Sequence, residues 1–191
     1  MLNILLEEKI KFWKSLPRNN QEELKIADDF FDYELMPLSI KSFLKRQQGT
    51  KTYYGMMLTL GTSWQPLALA VALLKPQKLL VMCTQDTLLQ FERLKNFLGL
   101  QEQQYKLVIV NRSESEDIYE AMRQFYEKWS VAGDICVDIT GGTKAMSSSA
   151  AMMGALLGID IYYVESKYLP LYRRPEPGSE YIKQLTNPKM D

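Results

Sequence analysis

The sequence predicts an α/β domain: a mostly parallel sheet with helices on both faces, preceded by a short helical N-terminal segment. Three observations carry this expectation. Apolar runs of strand length recur between Tyr54 and Glu165, and stretches of helical character separate them. The runs themselves, such as Leu79-Leu80-Val81-Met82-Cys83, are apolar at consecutive positions instead of alternating, which marks strands buried on both faces.

The elements follow in order. From Met1 to about Gln48 the pattern is helical, with an apolar stripe through Leu5, Leu6, Ile10, Trp13 and Leu16, a break at Pro17, and further apolar positions at Leu24, Ile26, Phe30 and Phe31. Two or three short helices are expected there, the last opened by Pro37 and running from Leu38 to Arg46, because Pro is tolerated in a first helical turn. Strands are expected at Tyr54–Leu60, Lys78–Thr84, Lys106–Val110, Ile135–Thr140 and Asp160–Glu165. Helices are expected between them at Pro66–Leu74, Thr87–Leu98, Glu116–Ser130 and Lys144–Leu157. Such a βα rhythm reads as a Rossmann-like domain over residues 51–191, behind a helical extension over residues 1–50. After Ser166 the prolines at 170, 175, 177 and 188 suggest an irregular tail with no clear terminal element.

Composition narrows the chemistry. The 191 residues carry 23 basic and 23 acidic side chains, so no global field draws the chain to duplex DNA or to an anionic membrane, and any anion site must be local. No apolar run is long enough to span a bilayer and no signal-peptide pattern opens the chain, so a cytoplasmic location is expected. With no histidine at all, imidazole bases, Ser-His-Asp and Cys-His machinery and HExxH zinc sites are excluded. Cys83 and Cys136 are the only thiols, too few for a four-ligand zinc site, and both lie inside apolar strand runs as buried core residues. No metal and no cofactor is expected.

In an open parallel sheet, ligands collect beyond the carboxyl ends of the strands where the strand order reverses, here between the first and fourth strands. The two most unusual loops follow those strands: Gly61-Thr62-Ser63-Trp64-Gln65-Pro66 and Thr140-Gly141-Gly142-Thr143-Lys144. Consecutive glycines let backbone amides turn toward an anion, the helix after Thr143 points its unpaired N–H groups the same way, and Lys144 adds a full charge. Thr62, Ser63, Thr140 and Thr143 supply hydroxyls, and Trp64 could stack on a base or serve the core. Thr84, Asn111 and Arg112 are polar candidates on the same rim, or simply caps and solvated loop residues. Asp138 reads as a brace for the glycine loop, since a carboxylate would repel an anion. A Gly-Gly between strand and helix is in most proteins only a tight turn; two polar, phosphate-compatible loops at one switch point favour a site. Neither loop is a GxGxxG or GxxxxGK[ST] fingerprint, which makes dinucleotide and P-loop readings weak.

The segment Asp138-Ile139-Thr140-Gly141-Gly142-Thr143-Lys144-Ala145-Met146, preceded by Leu60-Gly61-Thr62-Ser63 and Lys75-Pro76, resembles the CRISPR-associated Rossmann-fold (CARF) family; so does Arg174–Glu180. The resemblance implies a homodimeric sensor of cyclic oligoadenylate, tetra- or hexa-adenylate, in type III CRISPR antiviral signalling. The ligand would lie across the dimer on Gly61, Thr62 and Ser63 with Gly141, Gly142, Thr143 and Lys144 of each subunit. Family members usually attach the sensor to an effector. HEPN ribonuclease and deaminase effectors need histidines that this sequence lacks, so a free-standing sensor or the sensor part of a longer protein is expected. The alternative is a metal-independent ring nuclease in which Lys144 stabilises charge on the attacked phosphate and Ser63 holds the geometry.

Overall fold

The computed structural model describes residues 2–47, 51–111 and 114–185. Arg112 and Pro188 therefore lie outside the described residues. The chain divides into two compact units, one made of the described residues of Met1–Gly49 with Glu165–Tyr181, the other of those in Thr50–Val164 and Ile182–Asp191.

The larger unit is the α/β body. Its strands are β1 (Gly55–Leu60), β2 (Lys78–Cys83), β3 (Tyr105–Ile109), β4 (Ile135–Asp138) and β5 (Asp160–Glu165), and its sheet has six strands. The spatial order is β3-β2-β1-β4-β5 and then β8 (Tyr181–Leu185), and the pairs β1/β2, β2/β3, β1/β4 and β4/β5 are all parallel. β1, at the centre, is buried at all six positions, as its apolar run requires. The helices of this unit are α4 (Gln65–Leu74), α5 (Leu88–Leu98), α6 (Ser115–Trp129) and α7 (Lys144–Leu157). Met57, Leu80, Met82, Val137 and Ile161 of the sheet pack with Ile118, Met122 and Phe125 of α6 and with Met146, Ala150 and Met153 of α7 in one core cluster. α4 packs on β1 and α5 on β2 as well as on each other, completing the second layer. The small residues of α7 set its distance from the sheet: a Cβ on Gly154 would stand 2.8 Å from Val137 Cγ1 and 3.2 Å from Ile161 Cγ1.

Two expectations need correction. The tail is not irregular throughout: β8 joins the main sheet next to β5, while β6 (Tyr168–Leu169) and β7 (Arg174–Pro175) pair antiparallel. No hydrophobic period marks β8, because only Ile182 among its five residues is even half-buried; its place in the sheet makes it a strand. The fourth strand ends at Asp138, two residues before Thr140, because the Thr140 N–H turns back to the Asp138 carboxylate at 3.0 Å.

The smaller unit gathers α1 (Leu2–Ser15), α2 (Gln21–Phe30), a five-residue π-turn over Phe31–Leu35, and α3 (Met36–Arg46) with the segment Glu165–Tyr181. Trp13 anchors it, 1% exposed, with its indole N–H donating to the Ala27 carbonyl at 3.1 Å and its ring against Phe31 and Tyr172. Arg174 pairs with Asp28 at 2.6 Å and lies over the Phe31 ring, so its charge is engaged inside this unit. A cavity of about 540 Å³ opens between α1 and the 176–179 segment. No helix among the described residues is long and apolar enough to cross a membrane.

Candidate ligand-binding site

The strand order places the reversal between β1 and β4, and the two loops that follow those strands meet backbone to backbone at Gly61 and Gly142. A Cβ on Gly61 would stand 2.8 Å from the Gly142 nitrogen, and one on Gly141 would collide with the Thr59 carbonyl oxygen. Gly142 adopts φ +85°, a left-handed conformation that glycine reaches without strain. The Gly141 carbonyl is pinned by two hydroxyls, Thr59 Oγ1 at 2.7 Å and Ser147 Oγ at 2.6 Å. That fixes the direction of the glycine turn before any ligand arrives.

Thr143 caps α7, its Oγ1 accepting the Met146 N–H at 3.2 Å. The first turn of a helix leaves its N–H groups without intrahelical acceptors, so those of Lys144 and Ala145 stand at the exposed end of α7 with the positive pole of the helix. Thr62, Ser63 and Lys144 are exposed, whereas Gly61, Thr140, Gly141, Gly142 and Thr143 are half-buried.

Three other candidates are placed differently. Trp64 is 1% exposed with its ring 4.7 Å from that of Phe97, so it serves the core and offers no free face for a base. Thr84 is buried in a short capping box with Thr87, whose hydroxyl reaches the Leu60 carbonyl at 3.5 Å and supports the end of β1 from beneath. Asn111 is exposed, its N–H donating to Asp117 at 2.7 Å, and it follows β3, two strands from β1. The structure thus brings together Gly61, Gly141 and Gly142, with Thr62, Ser63, Thr140, Thr143 and Lys144 adjoining them in sequence, and sets Trp64, Thr84 and Asn111 apart.

No family model matches the chain. Csm6, a CRISPR system endoribonuclease of Thermus thermophilus, is 31% identical to it over 136 residues, 68% of this chain and 28% of Csm6. Can2 of Sulfobacillus thermosulfidooxidans, solved in complex with cyclic tetra-adenylate, superposes with a TM-score of 0.52 at 17% identity over 58% of this chain and 32% of Can2. Csm6 of Enterococcus italicus, solved bound to cyclic hexa-2′-fluoro-hexa-dAMP, gives 0.51 at 10% identity over 72% of this chain and 41% of that one. The chain carries a CARF domain. It spans less than a third of the curated relative it matches.

Within this CARF domain, Asp138 is the group under the glycine loop. It is fully buried, its Oδ1 accepting the Thr140 N–H and its Oδ2 the Thr140 hydroxyl, both at 3.0 Å. Thr140 Oγ1 in turn accepts the Val164 N–H at 2.8 Å, tying the loop to β5. Burial pushes the Asp138 carboxyl up to about 7, against the opposing pull of the two Thr140 bonds. Burial also pushes both thiols, Cys83 and Cys136, above their ordinary value, which keeps them protonated and inert.

Thr59 and Ser147 were not among the sequence candidates. The signal for Thr59 was there, a lone hydroxyl in the apolar run Gly55-Met-Met-Leu-Thr-Leu60; Ser147 was hidden among small residues that read as packing. Among the described residues no group of three or more metal-capable side chains gathers.

Two outcomes test this geometry. Gly61→Ala sets a methyl group against the Gly142 backbone, which cannot yield as a side chain would, and is expected to lower stability by about 1–3 kcal/mol in urea unfolding; an unchanged midpoint contradicts the contact. Because the folded state holds the Asp138 proton more tightly than the unfolded chain, its contribution is full below the ordinary carboxylate range and is lost as pH rises through about 7. Between pH 5 and 7 stability should therefore fall with a slope of up to ~1.4 kcal/mol per pH unit from this group, and Asp138→Asn should flatten that slope. Persistence of the same slope in the variant would remove Asp138 as its source.

Proposed function

We propose that the protein is a cytoplasmic, homodimeric sensor of cyclic oligoadenylate, tetra- or hexa-adenylate, that passes ligand binding to an effector. The observation that carries this reading is the contact between the two glycine loops at the strand-order reversal. It sets exposed Thr62, Ser63 and Lys144 beside the N-terminus of α7, an arrangement suited to phosphates. The cyclic ligands held by Can2 and by the Enterococcus Csm6 support the ligand class. A ring of identical nucleotides presents repeated faces, which a twofold pair of identical loops can match. In support of a second subunit, α7 leaves Ala145, Ser148, Met152 and Leu156 exposed along one side, with Met152 at 64% and Leu156 at 79%.

The working parts divide by chemistry. Lys144 and the first amides of α7 neutralise phosphate charge, Thr62 and Ser63 donate to phosphate or ribose oxygens, and the glycines let the ligand approach the backbone. Thr140 and Thr143 act as positioning residues, since their hydroxyls are committed to the Asp138–Val164 tie and to the α7 cap. The effector is a partner or a further domain; the match to an endoribonuclease supports a nuclease effector.

Calorimetric titration with cyclic tetra- and hexa-adenylate tests the proposal. One ring per two chains is expected, with Lys144→Ala weakening binding roughly 10- to 150-fold, the loss of one charge-assisted contact of about 1.5–3 kcal/mol. Absence of binding by either ring, or unchanged affinity in Lys144→Ala, contradicts it. Chromatography of the same mixtures reads the fate of the ligand: a pure sensor returns the ring intact, whereas linear products dependent on Ser63 and Lys144 make the same site a ring nuclease.

A further inference from the structure

At the other end of the strands the α/β unit holds a second cavity, of about 400 Å³, where β2 and β3 begin and α6 ends. It lies away from both glycine loops, which follow the carboxyl ends of β1 and β4. Its apolar wall is the ring pair Phe125 and Trp129, with centroids 5.1 Å apart and planes inclined at 59°. Its charged lining is three lysines, Lys78, Lys106 and Lys128, with no carboxylate among the described lining residues. Lys78 Nζ donates to the Gln103 carbonyl at 2.7 Å, and Lys128 Nζ lies over the Phe125 ring, 5.1 Å from its centroid. Gln103 and Gln104 complete the lining with amides.

Each part selects. The volume falls within the ~300–1,000 Å³ range of small-ligand sites and is far too large for a bare inorganic anion. Three lysines without a carboxylate favour a ligand carrying about two negative charges. An aromatic wall beside them favours a flat ring, and side-chain amides can read the donors and acceptors on its edge. A sulfate or phosphate alone leaves the wall unused, and a neutral aromatic leaves the lysines unanswered.

We infer that this cavity is a second, independent site for a nucleoside monophosphate, with the base against Phe125 and Trp129 and the phosphate among Lys78, Lys106 and Lys128. The same chemistry is presented by a free mononucleotide and by the 5′-phosphorylated end of a single strand. The inference does not depend on the messenger reading, since it shares no residue with the glycine loops.

The test is titration of the whole chain with AMP, followed by the indole N–H cross-peaks of Trp13, Trp64 and Trp129 and by calorimetry. AMP is expected to shift the Trp129 cross-peak and leave those of Trp13 and Trp64 in place, with adenosine and inorganic phosphate each binding at least 10-fold more weakly. Lys106 and Lys128 are exposed, so the double variant Lys106→Ala/Lys128→Ala should keep the fold, read as an unchanged melting temperature, and lose about 10-fold or more in affinity. A 5′-phosphorylated triadenylate assigns the source: tighter binding than AMP points to a strand end, equal binding to the free nucleotide. AMP shifts confined to Gly61–Ser63 and Gly141–Lys144, an unmoved Trp129 cross-peak, or undiminished affinity in the double variant would each overturn the inference.

Discussion

The site depends on a close approach of two backbones. Gly61 and Gly141 stand where a single methyl group would meet main chain, and main chain does not yield as a flexible side chain does, while Gly142 is reserved for glycine by its left-handed φ and by the Thr59 and Met146 side chains beside it. This contact brings together loops separated by some eighty residues of sequence. It is possible only because β1 and β4 are neighbours in the sheet, paired from Gly55 with Ile135 to Leu58 with Asp138. The parallel order of the strands thus decides which loops share a rim, and glycine decides how near they come.

What holds the rim in shape is a set of short polar ties under it, not apolar packing over it. Thr59 and Ser147 fix one carbonyl, Asp138 fixes the Thr140 amide and hydroxyl, and Thr140 reaches on to Val164. These bonds occupy the groups that point inward and leave Thr62, Ser63 and Lys144 to the outside. A preformed rim of this kind loses little conformational entropy when an anion binds, which favours affinity over adaptability. Asp138 is the costly member, a carboxylate in a fully buried position whose charge opposes burial.

Much of this was legible in the amino-acid order. Consecutive apolar positions marked β1 and β2 as strands covered on both sides, and β1, β2 and β5 begin within a residue of where hydrophobicity placed them. The glycine loops were legible because consecutive glycines are conspicuous between a strand and a helix. Direction was not. Trp64, after β1, and Thr84, after β2, turn inward, since a residue at a strand–helix junction can face either the rim or the core, and no period of 2 or 3.6 applies there. β8 was hidden for a related reason: an edge strand with one half-buried side chain carries its identity in hydrogen bonds, not in its pattern. The cavity by Trp129 was equally silent, because Lys78, Lys106 and Lys128 lie on three different elements and only the fold assembles them.

The most direct measurement of the central claim is a map of backbone amide shifts on adding cyclic tetra-adenylate and, separately, cyclic hexa-adenylate to the labelled chain. The account predicts that one of the rings produces its largest changes at Gly61, Thr62, Ser63, Gly142, Thr143, Lys144 and Ala145 together, because a single ligand touches both loops. Changes confined to one loop, or centred in the helical unit around Leu6 and Gly178, would contradict a shared site and with it the reading of this rim as a receptor.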